Sequence, residues 1–379
     1  MRQRSLLNYR RLVAIVTVFG IKLLLGSSFV KAAESKPAWQ LAWEKVVAGA
    51  LTEGQVVVYG DSQGTHADIT GEFNRDYPDI RVVTVSGRGS QLAPRLVAER
   101  RAGKYLADVL AGGSTGGFRT LGEEAFDPVP PALILPDVVD KSKWYGGKHY
   151  YPDPKNQYIF MYEGSVETGY LRINTKTFKK DEFKSYWDVL DKRWAGKILI
   201  FDPLVSSIQN VAILYADPRV GPEFVRRLFA DMNISISRER RQATDWLAQG
   251  VFPMCFFCRD IEIATKQRLP VDSADVKEAA STIAPGGNAA LHLMSKAPHP
   301  NAAKVFLNWY LSRKGQMIWQ KVMNTKVGEP SESMRIDIPK DEVPAEVRRV
   351  AGVNYQVIGY VDTQAPLEMV KNILDKLGK

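Results

Sequence analysis

The sequence predicts an α/β protein built on a parallel, doubly wound sheet and divided into two lobes. Three observations predict it. Valine-rich, strand-like runs alternate with amphipathic runs of helical period through the first hundred residues after the basic head. Each strand-like run ends in a short loop of glycine and small polar residues. The chain has 379 residues, more than one hydrophobic core usually fills, so two lobes are expected.

The amino-terminal segment stands apart from this pattern. Arg2, Arg4, Arg10 and Arg11 form a basic head, Leu12 to Leu25 an apolar run interrupted by Lys22, and Val30-Lys31-Ala32 a small-residue cleavage signal. Residues 1–33 therefore read as a signal peptide cleaved near Ala32 or Ala33, and the mature protein as periplasmic. The run is short for a spanning helix, although a membrane anchor is the competing reading. Arg10-Arg11 leaves the export route open between the general and the twin-arginine systems. Residues 1–32 carry six Lys and Arg and no acids, so cleavage takes the formal charge from +9 to +3. That removes the case for nucleic-acid binding.

In order along the chain, Trp39 to Ala50 predicts a helix and Val56 to Gly60 a strand. Ala67 to Tyr77 predicts a helix, Ile80 to Ser86 a strand, and the stretch from Gly87 to Arg101 a loop and helix. Ala107 to Ala111 predicts a third strand before Gly112-Gly113-Ser114-Thr115-Gly116-Gly117. Residues 126–160 read as Pro- and aromatic-rich irregular chain. Strands are expected at Tyr170 to Thr175, at the end of Trp187 to Ile200, across Val251 to Cys258 and at Leu291 to Met294. Helices are expected up to Tyr215, over Gly221 to Met232, over Glu239 to Gln249, as one long helix from Ala302 to Met323, and at the end of the tail.

Cys255 and Cys258 are the two cysteines. With no second ligand pair, zinc is not supported. Residues i and i+3 of a strand point to opposite faces, so two buried thiols are favoured over a disulfide formed across a local turn.

Gly60-Asp61-Ser62-Gln63-Gly64 fits the G-x-S-x-G pattern of a hydrolase nucleophile elbow. Gly112-Gly113-Ser114-Thr115-Gly116 fits it again after another strand. A pattern that recurs in successive strand-to-helix loops describes the loops better than one catalytic serine. Histidines occur only at His66, His149, His292 and His299, none placed as an evident base. The same loops suit a ligand: serine hydroxyls and exposed N–H groups at helix starts attract anions. Each serine could equally cap its own helix. The candidates are Asp61, Ser62, Gln63, Arg88, Ser90, Ser114, Thr115, Ser206 and Ser207, with Tyr215 weaker.

The segments EGQVVVYG, FNRDYPDIRVVTVSGRGSQLAPRLVAERRAGKYLADVLAGG and APHPNAAKVFLNWYLSRKGQ resemble the bacterial extracellular solute-binding proteins of family 1. These are the ferric-ion, polyamine and organic-anion receptors of ABC importers. The resemblance runs from about 45 to 330 and is specific for the family, not for the ligand. It implies a type II periplasmic-binding-protein fold, each lobe a mixed, mostly parallel sheet flanked by helices, with a ligand in the cleft between lobes and delivery to an inner-membrane permease by hinge closure. It implies a monomer, no cofactor and no chemistry of its own. The first lobe would be 34–165 with 284–325, the second 166–283 with 326–379.

Ferric members of the family hold their metal with adjacent tyrosines after the strand that corresponds to VFPMCFFC. This chain has Arg259-Asp260 there, and an arginine repels a cation. The expected ligand is therefore a small organic anion: a carboxylate, a phosphorylated compound or a zwitterion held by Arg259, Asp260 and the loop serines. The alternatives are a ferric site at Tyr150 and Tyr151, and a secreted serine hydrolase using Ser62 or Ser114.

Overall fold

The computed structural model describes residues 36–87, 89–112, 116–259, 261–283 and 289–378, without the side chains of 89, 90, 116, 205, 206, 262, 263 and 266. The expected signal peptide lies outside them. Among the described residues no helix is long and apolar enough to cross a membrane.

Strands form where β-branched residues cluster. The first five are β1 (Gln55–Gly60), β2 (Arg81–Ser86), β3 (Val109–Ala111), β4 (Phe126–Asp127) and β5 (Phe160–Met161). Next come β6 (Leu171–Asn174), β7 (Ile198–Phe201), β8 (Ser235–Ser237), β9 (Met254–Phe256) and β10 (Val271–Ser273). Last are β11 (Thr282–Ile283), β12 (Ala290–Met294) and β13 (Gln356–Val357).

They form two main sheets. The first has the order β2-β1-β3-β12-β4, with β5 also on β12. β2 and β3 run parallel to β1, whereas β12 returns antiparallel to β3. The second has the order β10-β6-β9-β7-β8, with β8 and β9 parallel to β7. β3, β7, β9 and β12 are buried at every residue, as strands covered on both faces must be. Along β1 the two-residue period is explicit. Val56 and Val58 enter one core, which includes Phe73, Phe306 and Trp309, while Tyr59 enters another with Leu92, Leu96 and Phe118. The second sheet has its own core, from Tyr170 to Leu374. The result is the two-lobed α/β fold expected.

Three expectations need correction. Cys255 and Cys258 are joined in a disulfide, with Cα atoms 5.8 Å apart. β9 ends at Phe256, and Phe257 takes a left-handed φ of 64°. The chain therefore turns between the cysteines and brings the second back over the first, which an unbroken strand would not allow. Also, the long helix breaks: Pro300–Leu311 and Arg313–Val322 are separate. Ser312 is extended (ψ 164°), and its side chain accepts from Gly315 N at 3.1 Å. A Cβ at Gly315 would lie 2.2 Å from Trp309 O, so the second helix folds back closely on the first.

The third concerns the tail, which is shared between the cores rather than given to the second alone. Met334 and Tyr355 sit in the first core, Ile358, Val361, Val370 and Leu374 in the second. Tyr145 N donates to Met334 O and Ile336 N to Lys143 O, so the irregular 126–160 stretch is ordered by pairing with the tail. Arg335 locks the junction. It is fully buried, bonds Asp137 and Asp337, donates to Leu311 O and lies over the Trp144 ring. Its carboxylate partners reach solvent, Asp137 41% and Asp337 22% exposed, so losing one costs less than the ~3–5 kcal/mol of a fully buried pair.

The disulfide closes a loop of four residues, which corresponds to about 2 kcal/mol of stabilisation by loop-closure entropy. Denaturant unfolding with and without reductant is expected to differ by about this amount, and Cys255→Ser/Cys258→Ser should match the reduced protein.

Candidate functional site

The strand order fixes where a ligand can be met. In open α/β sheets it is outside the carboxyl ends of the parallel strands. On the first sheet those ends release the loops after β1, β2 and β3, and these converge. A cavity of about 10 Å³ is lined by Gly60 and Asp61 after β1, Gly87 after β2, and Gly112 and Gly117 after β3. Ser86 donates to the Thr65 hydroxyl at 3.1 Å, tying two of the loops together.

The glycines of the G-D-S-Q-G stretch answer to packing. A Cβ at Gly60 would come within 2.2 Å of Ala111 O, and one at Gly64 within 2.1 Å of Ala111 Cβ. Both are there because the turn lies directly against β3. Asp61 caps the short helix Ser62–Thr65 and accepts from Gln63 N at 3.1 Å. Ser62 is half-buried at the start of that helix. Gln63 is buried, Tyr310 donates to its carbonyl, and its side-chain Oε1 has no partner among the described residues.

Three of the four histidines lie elsewhere, and His66 closes the short helix that Ser62 opens, its backbone N donating to Ser62 O at 3.2 Å. His299 bonds Asp108 through its backbone N and its Nδ1, both at 2.8 Å, and approaches Gln55 at 3.1 Å. That is the amino end of β1 and β3, opposite Ser62. His66 Nδ1 accepts from Asp68 N. His149 Nε2 meets Val138 O at 3.0 Å, and burial lowers its pKa to about 4. His292 is fully buried in β12 with neither nitrogen partnered among the described residues, and desolvation lowers its pKa to about 3.

On the second sheet, β9, β7 and β8 are adjacent and parallel, so their exits share one end. Asp202, at the exit of β7, is buried. It accepts from Leu204 N at 2.8 Å and from Arg238 Nε, at the exit of β8, at 2.9 Å. Ser207 is wholly buried at the start of helix Ile208–Ala216, caps nothing, and its hydroxyl has no partner among the described residues. Arg259 follows β9 and is exposed, with its carbonyl held by the Thr244 hydroxyl at 3.0 Å.

The two sheet ends meet at Arg119. It lies on helix Gly116–Leu121, after β3, and donates to Gln209 Oε1 at 3.4 Å, two residues beyond Ser207. It also donates to Val361 O and the Thr363 hydroxyl, both at 3.0 Å.

A sequence model of the bacterial extracellular solute-binding proteins matches residues 59–317. The chain belongs to that family. Solute-binding proteins of this kind serve ABC transporters, and structural neighbours bear out the fold. Iron-bound HitA of Pseudomonas aeruginosa superposes with a TM-score of 0.56 at 16% identity, covering 84% of this chain and 99% of that one. The Trichodesmium protein in complex with iron and citrate gives 0.58 at 15%, covering 86% and 99%. AfuA of Actinobacillus pleuropneumoniae with fructose-6-phosphate gives 0.52 at 16%, covering 86% and 99%. No curated protein matches.

Of the residues singled out from the sequence, Asp61, Ser62 and Gln63 share the first sheet's carboxyl end, and Ser207 and Arg259 the second's. Ser90 and Ser206 are placed by backbone only, and Arg88, Ser114, Thr115 and Asp260 lie outside the described residues. Tyr215 is half-buried and packs on the second core. Tyr150 and Tyr151 stand apart, beside Tyr145 and the tail. Arg119, Asp202 and Arg238 were missed. Arg238 directly ends the alternating run Ile234 to Ser237, a signal that could have found it.

His292 supplies a pH test. Its folded pKa lies below the ordinary 6.5, so the stability it allows is present above pH 6.5 and is lost as pH falls toward 3, by up to about 1.4 kcal/mol per pH unit. His292→Leu is expected to lose measurably less stability than wild type between pH 6.5 and pH 4 in denaturant titrations.

Proposed function

We propose that this solute-binding protein captures a small organic anion between its two lobes and delivers it to an inner-membrane ABC permease. The observation that carries the reading is Arg119 of the first lobe reaching Gln209, beside the buried, unpartnered Ser207 hydroxyl of the second. In this reading the carboxyl-end loops of both sheets border one gap, with Arg119, Arg238 and Arg259 among its charged groups. Guanidinium groups suit carboxylate and phosphate through paired donors. Loop N–H groups at helix starts add partial positive charge. Asp61 caps its own helix, and Asp202 caps its own and pairs with Arg238 at 2.9 Å.

In this reading the lobes are those built on the two sheets, the leader is removed, and the mature protein works in the periplasm as a monomer. It performs no reaction. His149, His292 and His299 lie away from Ser62, and the Nδ1 of nearby His66 accepts from Asp68 N, which supports that over a serine hydrolase. A ferric receptor is the second reading, because two of the neighbours are iron-bound. Against it, burial raises the pKa of both Tyr150 and Tyr151 and Lys148 sits 4.9 Å from the Tyr150 ring, so neither phenolate formation nor a cation is favoured there.

A thermal-shift panel of organic acids, sugar phosphates, polyamines and ferric ion tests this. Stabilisation by one or more anions is expected, weakened about tenfold in affinity by Arg238→Ala, a loss of one charge-assisted contact. Stabilisation by ferric ion alone would overturn it.

A further inference from the structure

Away from the carboxyl-end loops lies a pocket of about 510 Å³, within the size range of small-molecule sites. One wall is the first-lobe segment around Tyr145, Tyr150 and Tyr151. The other is the tail around Tyr355 and Val357. Two features set its chemistry. The first is a ladder of rings and cations: Arg349 lies 4.8 Å from the Tyr145 ring, the Tyr145 and Tyr150 rings are 6.4 Å apart and 22° from parallel, and Lys148 Nζ caps the stack 4.9 Å from the Tyr150 ring. Arg349 is neutralised by buried Glu332 at 2.8 Å. Lys148 is exposed and has the Tyr150 face as its partner, with no carboxylate paired to it among the described residues. The left-handed turn Gly146-Gly147 (φ 63° and 66°) folds Lys148 back over the ring. A cation held in place over an aromatic face, at the mouth of a concave site, attracts an anion.

The second feature is a mixed lining, in which Pro152 and Val357 lie beside the tyrosine rings and the amide side chains of Asn354 and Gln356. Neither phenol supplies charge, since burial raises the pKa of Tyr150 and Tyr151.

We propose that this pocket is a second ligand site, which takes an amphipathic organic acid with its apolar body against the tyrosine-lined wall and its carboxylate at Lys148. Both walls belong to the first core, with Tyr145, Tyr150, Tyr151 and Met161 on one side and Tyr355 and Val357 on the other, and Tyr360 N donates to Pro152 O across them at 2.9 Å. The site stands independently of the anion assigned to the cleft.

Phenylacetate and its neutral counterpart 2-phenylethanol test the idea by calorimetric titration of the whole mature protein. Phenylacetate is expected to bind saturably and at least tenfold more tightly than the alcohol. Lys148→Glu, at an exposed position, should abolish that preference, and Tyr150→Ala should weaken phenylacetate at least fivefold. Arg238→Ala should leave it unaffected. No saturable binding, equal binding of acid and alcohol, retention of the preference in Lys148→Glu, or loss in Arg238→Ala would overturn the proposal.

Discussion

The strand order of the first sheet is the constraint from which the rest follows. β12 belongs to that sheet, yet it comes after the five strands of the second. The chain must therefore leave one core near Val166 and return after Ile283. Val166 pairs with Ile283 in an antiparallel bridge, and Glu167 N donates to Thr282 O, so outgoing and returning strands lie side by side. The tail adds a third crossing, since Tyr355 packs on the first core and Ile358 on the second. Two separately filled cores are thus joined by adjacent extended segments.

That topology also decides which residues meet a solute. Parallel strands put every strand-to-helix loop of a sheet at the same end, and the close contact of Gly60 and Gly64 with Ala111 holds the first lobe's loops together. Polar groups there are divided by role. Asp61 and Asp202 are consumed in capping, whereas the Ser207 hydroxyl is buried without a partner among the described residues.

Much of the fold was legible because periodicity reports burial directly. The valines of β1 alternate between two cores, and the helix Ala67–Asp76 ends just before Pro78 as its sequence suggests. What was not legible depends on backbone torsion at single residues. Phe257 adopts a left-handed φ that no propensity favours, and that one residue turns two opposed thiols into a disulfide. Ser312 interrupts an apolar pattern that continues on both sides of it. Of the candidate site, the place of Asp61, Ser62 and Gln63 at a sheet end was readable, since the glycines beside them mark close approach to β3. Arg119 was not: it lies within a helix, and only the tertiary meeting of two loops from opposite lobes gives it a role.

Solution scattering with native mass spectrometry tests the central claim most directly. The mature protein would be compared as purified and after unfolding and refolding to strip small molecules. The account predicts that the small-molecule-bound form has a smaller radius of gyration than the stripped form, and that returning the extracted molecules restores it. A molecule shown by mass to be bound, with identical scattering in both states, would contradict closure of two lobes around a solute.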